Sequence, residues 1–330
     1  MENVNYQKII DLLGKERTKT NIPLAGYTTI KIGGPADLFY EAFSKEDLIK
    51  AVKVANENQI PYFVLGLGSN VLVSDSGFKG LVIKNRANKI HIAGLKGQFL
   101  KTKKSIEEIL VEAESGVLIN QLVRFTLDEG IEGLEFFLGQ PGTVGGSLWI
   151  NSHNMRRQKF LGDFIKQAEI LTPLGEKKVV SRDYFNFGYD YSIVQKTKDL
   201  ILSAVFKLIP GNKQALWLKA QAELDYRKES QPVLPSLGCT FKNIRRSDAI
   251  CLATPNHTTS AGFLIDKTGL KGIKIGNAQI SEFHGNFIVN LGDASASDVI
   301  KLIKLCEIKI KEKYGIKLEK EIFLLGEFNG

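Results

Sequence analysis

Gly139-Gln140-Pro141-Gly142-Thr143-Val144-Gly145-Gly146-Ser147 is the stretch on which the reading of this chain turns. Four glycines fall in its first eight positions, directly after the apolar Leu134, Phe136, Phe137 and Leu138. Glycine loses more backbone freedom on ordering than any other residue, so such a stretch predicts neither helix nor strand. It is suited to lay bare backbone along a planar ring and to donate N–H groups to the ring's edge, with Thr143 and Ser147 as hydroxyl donors. A plain structural crossover is the alternative. A second loop of the same kind lies upstream, Gly66-Leu67-Gly68-Ser69-Asn70. It follows a short apolar run at 60–65 and precedes Val71-Leu72-Val73, which reads as a strand. A strand after the loop argues against a Rossmann fingerprint, whose phosphate sits on a helix N-terminus. Successive N–H groups in such a turn still form an anion nest, and Ser69 and Asn70 add side-chain donors for a pyrophosphate. A tight turn between strands is the other reading. Two such loops on one chain point to a large cofactor gripped at two places.

Length and composition narrow the class. With 330 residues there is room for two or three well-filled cores. The apolar stretches fall far short of the roughly 20 residues a membrane span needs. The start, Met1-Glu2-Asn3-Val4-Asn5-Tyr6, lacks the basic-then-apolar pattern of a signal peptide. A cytoplasmic protein with no membrane partner is therefore expected. Three widely spaced cysteines with no C-x-x-C pair argue against a disulfide framework and a structural zinc site. The four histidines show no metal-ligand spacing, and no metal is expected. The net charge of +8 is spread out, with small basic groups at 101–104, 156–159 and 245–246. A nucleic-acid surface shows a denser basic stripe with interleaved aromatics, so no nucleic-acid partner is expected. A diffuse basic surface suits small anions such as nucleotides and nucleotide sugars.

Along the chain, Ser44 with Asp47 three residues on marks a helix start, and Leu48, Ile49, Val52 and Ala55 follow at helical spacing. Val71–Val73 and 81–83 read as strands about a glycine-containing turn. The middle region is rich in apparent strands at 108–114, 167–172 and 200–208, with one helix at 118–129 closed by Gly130. Pro210-Gly211-Asn212 is the best linker, followed by a helical stretch to Arg227. The clearest helix is 297–314, with Val299, Ile303, Cys306 and Ile310 as its stripe and Gly315 as its stop. A last strand is predicted at 318–325. The reading is an α+β protein in three lobes, 1–80, 81–209 and 210–330.

Two further segments could carry chemistry. In Gln231-Pro232-Val233-Leu234-Pro235-Ser236-Leu237-Gly238-Cys239-Thr240-Phe241-Lys242-Asn243, a cysteine is held on a proline-framed loop. Its thiol, with an ordinary pKa near 8.5, gives a proton far more readily than a serine hydroxyl. Lys242 and Asn243 are placed to contact a phosphate. A buried small hydrophobe is the competing reading of Cys239. In Leu318-Glu319-Lys320-Glu321-Ile322, Glu319 and Glu321 point the same way if the segment is a strand. That pattern fits a solvated edge or one inward carboxylate with a raised pKa. His284, in Ser281-Glu282-Phe283-His284-Gly285-Asn286, is the one histidine in a suggestive setting, and Cys251 and Cys306 read as packing residues.

Taken in order, these segments resemble the UDP-N-acetylenolpyruvoylglucosamine reductase family. The resemblance runs from about Asn21 to Gly326. Its parts are Tyr27-Thr28-Thr29-Ile30-Lys31-Ile32-Gly33-Gly34, Gly66 to Asn70, and Gly133-Leu134-Glu135 leading into the 139–146 stretch. They continue with Phe187-Gly188-Tyr189, Gly238 to Asn243, Ala261-Gly262-Phe263-Leu264-Ile265-Asp266 and Leu318 to Ile322. No single motif is decisive; their order and spacing together are specific. The resemblance implies a two-lobed FAD-binding domain of the vanillyl-alcohol-oxidase (PCMH) type plus a smaller α+β substrate-binding domain. It implies non-covalent FAD, NADPH as hydride source and a UDP-sugar substrate carrying an enolpyruvyl ether, reduced to UDP-N-acetylmuramate for peptidoglycan synthesis. A monomer is expected. A flavin-binding paralogue with another redox substrate, or a non-catalytic nucleotide-sugar binder, are the competing functions.

By the same resemblance, Gly66, Gly68, Ser69 and Asn70 would hold the FAD pyrophosphate. Gly139, Pro141, Gly142, Thr143, Gly145 and Gly146 would line the flavin. Hydride addition leaves an enolate that needs a clamp on its carboxylate and then a proton. The family's proton donor is usually a serine, and Cys239 stands there; Glu321 takes the place of the family's C-terminal glutamate. Lys242 and Asn243 map to the UDP phosphates, His284 near the substrate carboxylate. The family's arginine after Phe-Gly-Tyr is here Asp190, a candidate catalytic position of altered charge. Two like charges near 4 Å repel by about 4 kcal/mol at an effective dielectric of 20, so Arg156, Arg157, Lys196 or Arg227 is expected to supply the cation. After Asn151 the chain reads Ser152-His153-Asn154-Met155 where small residues are expected. The short 190–227 segment resembles the branch of the family without an extra substrate-covering loop.

Overall fold

The computed structural model describes residues 6–100, 103–252 and 254–328. The reading of Met1–Asn5 and the part of the basic group at Lys101 therefore lie outside the described residues. The chain forms two units: 1–19, 39–67 and 81–227 make one, and 20–38, 68–80 and 228–330 the other. Each unit has its own hydrophobic core.

The first unit is organised by an antiparallel sheet. Its strands run in the order Lys177–Ser181, Ile165–Leu171, Leu200–Pro210, Lys103–Glu114, Ile90–Leu100. The register pairs Ala204 with Ala113 and Phe206 with Val111, all fully buried. Alternation with period two thus sends these four side chains to the inner face. Against that core pack Leu122, Val123 and Leu127 of the helix Ile119–Asp128, and Leu216 and Ala220 of the helix Lys213–Ser230. Gly130 follows the first of these at φ +66, the left-handed conformation that ends a helix. The helix Lys45–Glu57 starts as read: the Ser44 hydroxyl accepts from the Asp47 N–H at 3.1 Å. Elsewhere in this unit Tyr62–Leu65 pairs in parallel with 81–84, setting Leu65 opposite Lys84.

The second unit carries the sheet Ser236–Cys239, Phe287–Asn290, Ala278–Ile280, Lys274–Ile275. The helix Ala296–Tyr314 buries Val299, Leu302, Ile303, Cys306 and Ile310. Gly315 closes it at φ +69, and it begins one residue before the predicted start because Ser295 caps it. Phe323–Leu325 pairs in parallel with Val71–Val73.

Two elements differ from the reading. The glycine-rich stretch does contain a helix, Val144–Ile150. Thr143 caps it, and the glycines occupy its first turn, where their low propensity is offset by fixed partners for the N–H groups. The last strand is also shorter than read. Only Phe323–Leu325 is regular, and 318–322 joins its neighbour by a single bridge, Phe241 to Lys320.

Candidate active site

In the first unit the two glycine loops meet. A side chain placed on Gly66 would bring its Cβ to 2.5 Å from Thr143 Oγ1, so any residue but glycine would force a shift there. A Cβ on Gly145 would likewise lie 2.9 Å from Ser115 Cβ. Gly139, at φ +84, lies where a Cβ would meet Leu224 Cδ1 at 2.8 Å and Arg227 Cδ at 3.1 Å. A Cβ on Gly146 would lie 3.4 Å from Thr143 Oγ1. The backbone of 144–147 is not available as a donor row. Val144 N donates to Val117 O, Gly145 N to Ser115 O, Gly146 N to Thr143 Oγ1 and Ser147 N to Thr143 O. The expected N–H contacts from these residues to a ring edge are therefore corrected: their N–H groups fix the helix start, and the glycines serve close approach.

Lys84 was not singled out by sequence, although it ends the apolar run Leu81-Val82-Ile83. It is only 8% exposed, and its ammonium donates to the Gly66 carbonyl. Burial, reinforced by the Arg86 charge and opposed by Glu41, brings its pKa down to about 8.

The same unit brings together the two sequence departures noted above. His153 Nδ1 lies 3.5 Å from Asp190 Oδ1, and Asp190 is 5% exposed in a left-handed backbone conformation, φ +50. The His153 ring packs against Phe160 and Tyr189, at 5.5 and 5.0 Å between centroids. Burial and the charge of Arg227 hold its imidazole down at about 4, neutral at physiological pH. Of the candidate cations, Arg157 is taken by Glu223 at 2.6 Å, and Arg156 lies 3.8 Å from the same carboxylate and over the Tyr226 ring. Lys196 sits over Tyr191. Arg227 is the one placed along the 139–147 loop. Gln140 Oε1, Ser152 Oγ and His153 Nδ1 are buried without a hydrogen-bond partner among the described residues.

In the second unit the segments holding Cys239 and Glu321 run side by side. Glu321 N donates to Thr240 O at 2.9 Å, and Lys242 N to Glu319 O at 2.8 Å, about the Phe241–Lys320 bridge. Asn286 locks the other flank: its side chain accepts from Phe241 N and donates to Phe241 O, while its carbonyl accepts from Thr240 N. Cys239 is half-buried at the end of the strand Ser236–Cys239, after Gly238 at φ +77. Asn70 joins this group, its side-chain amide donating to Glu321 O at 3.1 Å and its carbonyl accepting from Phe323 N. Gly68, at φ +71, is pressed on Tyr27, where a Cβ would lie 2.4 Å from the carbonyl oxygen. Asn243 Oδ1 lies 3.4 Å from the N–H of Ala261, the first residue of the helix Ala261–Lys267. His284 is partly committed to its own loop: Nδ1 accepts from Asn286 N at 3.2 Å, and burial with the Lys271 charge lowers its pKa. Among the described residues no group of three or more metal-ligating side chains occurs, and no helix is long and apolar enough to cross a membrane.

Comparison with known proteins covers both units. Residues 36–181 match the family model of an FAD binding domain, and 228–325 that of the UDP-N-acetylenolpyruvoylglucosamine reductase C-terminal domain. The UDP-N-acetylenolpyruvoylglucosamine reductase of Clostridium novyi is 35% identical over 97% of this chain and 96% of its own length. That of Bacillus pumilus is 35% identical over 100% of both. The crystal structure of the reductase from Thermus caldophilus shares 32% identity, with a TM-score of 0.72 over 94% of this chain and 99% of its own. The expected fold, an FAD-binding domain joined to a smaller α+β domain, is met.

Proposed function

Since the chain belongs to the UDP-N-acetylenolpyruvoylglucosamine reductase family, we propose that it reduces the enolpyruvyl ether of its UDP-sugar substrate to UDP-N-acetylmuramate. FAD and NADPH serve the reaction, which supplies a peptidoglycan precursor, and the enzyme works as a cytoplasmic monomer. The observation that carries this reading is the convergence of the two glycine loops, Gly66 against Thr143, at a spacing too close for an unstrained Cβ. The buried acceptor Gln140 Oε1 and the buried hydroxyl of Ser152 give the same region polar atoms that a flavin's donors and acceptors fit. When bound, the flavin carries hydride from NADPH to the substrate double bond.

The protein's own part is placement, charge and a proton. Gly66, Gly68, Ser69 and Asn70 hold the cofactor's diphosphate, and the 139–146 stretch lies along its ring. Arg227, seated on Gly139, supplies the cation that stabilises the substrate carboxylate as negative charge develops. Asp190 is turned to His153, whose imidazole is neutral. Cys239 gives the proton to the carbon next to the carboxylate, and Glu321, on the paired segment, tunes that thiol. Lys242, Asn243 and His284 contact the anionic parts of the substrate.

Purified protein tests this directly. A flavin absorption spectrum, and NADPH oxidation that depends on the enolpyruvyl UDP-sugar, are expected. Bound flavin that NADPH reduces but this substrate never reoxidises would sink the reductase reading and favour another redox substrate.

A further inference from the structure

A lysine is rarely buried without a carboxylate to balance it. Lys84 is 8% exposed, and the partner of its ammonium is a carbonyl, that of Gly66. The carboxylate that does act on it, Glu41, is itself paired with Arg86. The positive charge thus sits behind the first residue of the glycine loop with its compensation incomplete. The bond has a second consequence. Described peptide bonds here are all trans, and in a planar trans peptide the carbonyl and the following N–H point in opposite directions. Holding the Gly66 carbonyl toward Lys84 therefore turns the Leu67 N–H away from it.

We propose that Lys84 is a positioning residue for the diphosphate of FAD, fixing the Gly66–Leu67 peptide as a donor and setting a positive charge behind it. The inference rests on the flavoenzyme reading above and adds a residue that neither glycine loop contains. An anion at the loop completes the compensation that Glu41, held by Arg86, does not.

The test is a titration of the full-length chain, stripped of flavin, with FAD and separately with riboflavin, which has no phosphate. Lys84→Met is expected to weaken FAD binding about 10- to 100-fold, the range for losing a charge-assisted contact, and to leave riboflavin binding within twofold. Lys84→Arg is expected to restore most of the FAD affinity. Equal losses for FAD and riboflavin, or FAD affinity within twofold of the parent, overturn the proposal. The unmutated protein gives an independent arm that needs no variant to fold. Its affinity for FAD, and not for riboflavin, is expected to fall as pH rises past about 8, where the ammonium of Lys84 titrates beside Glu41 and Arg86. A flat profile from pH 7 to 9.5 overturns the proposal as well. A parent chain that binds neither FAD nor riboflavin defeats the flavoenzyme reading itself, which is a different failure from bound FAD that ignores Lys84.

Discussion

The candidate residues fall into two halves, one in each unit, and the two are fixed by opposite means. In the first, the site is made by absent side chains: Gly66, Gly139 and Gly145 each occupy a place where a Cβ would strike a neighbour at 2.9 Å or less. The same unit buries two ionisable groups, Lys84 and Asp190, and sets the partly buried His153 against Asp190. In the second, the site is made by joining. Backbone bonds tie Thr240 to Glu321 and Asn70 to Phe323, and the Asn70 side-chain amide donates to the Glu321 carbonyl, across sequence separations of about 80 and 250 residues. The contrast is between a surface shaped to receive a large flat ligand and a frame that sets the two side chains proposed to handle the proton on paired segments of chain. Binding should fail when the first half is damaged, and proton delivery when the second is.

The largest expected effect is at Cys239. If the second half delivers the proton, Cys239→Ala lowers substrate-dependent NADPH turnover about 10²- to 10⁴-fold, the usual contribution of a positioned acid. Reduction of the bound flavin by NADPH stays near the parent rate, and Cys239→Ser keeps substantial turnover. Stopped-flow measurement of the two half-reactions separates these. Equal loss of both would erase the division of labour between the halves.

Next comes the partly buried histidine of the first half. His153 has a folded pKa of about 4 against an ordinary value of 6.5. As pH falls through 6.5 the unfolded chain takes up this proton first, so stability is lost progressively down to about pH 4. A shift of this size corresponds to about 3 kcal/mol. His153→Gln should flatten that part of the profile, seen as a smaller difference in urea midpoint between pH 7.5 and 4.5. An unchanged slope would mean that the acid sensitivity lies in other groups.

How much of this was legible follows the same division. The glycine loops of the first half stand out in sequence because their composition is local and unusual. Their convergence could not be read, since Gly66 and Thr143 meet through tertiary packing. The helix at 144–150 was missed for a related reason: intrinsic propensity counts against Gly145 and Gly146, and the bonds to Val117 and Ser115 that override it come from another part of the chain. Lys84 gave only the weak signal of one charge ending an apolar run. In the second half, Cys239 and Glu321 were legible as residue types within motifs. The pairing of their two segments was not, and the regular strand inferred for 318–325 shrinks to Phe323–Leu325 because a single bridge, not a ladder, holds the rest. The departures at Ser152-His153 and at Asp190 were each visible alone. That they meet at 3.5 Å is a property of the fold.

A smaller effect probes whether the two glycine loops meet as rigidly as the geometry says. Gly66→Ala places a methyl group at 2.5 Å from Thr143 Oγ1. Overpacking of this kind costs about 1–3 kcal/mol, and loss of flavin on purification should accompany it. Thr143→Ala alone removes the cap on Gly146 N, worth about 1 kcal/mol. The double variant removes the colliding hydroxyl, so its loss should fall below the sum of the two. Additive losses, read from thermal or urea unfolding, would show that the loops are not in contact.

The smallest effect separates support from site in the second half. The helix Ala296–Tyr314 begins with N–H groups that have no partner within the helix. The Ser295 hydroxyl takes that of Asp298, and the Asp298 carboxylate in turn accepts from Ser295 N. The first two helical N–H groups, of Ala296 and Ser297, instead go to the Asp75 carboxylate at 2.7 and 3.0 Å. Asp75 follows the strand Val71–Val73, the same strand that Phe323–Leu325 pairs with beyond Glu321. Its negative charge also lies at the favourable end of the helix dipole. Asp75→Ala should therefore cost about 1–2 kcal/mol in unfolding free energy, while the Ser295–Asp298 box keeps the helix start in place. If Asp75 only anchors that helix, kcat and the KM for the UDP-sugar stay within twofold of the parent. A drop in kcat with unchanged stability would instead make the strand beneath Glu321 part of the proton-delivering frame, because loosening one end of that strand would then be felt at the other.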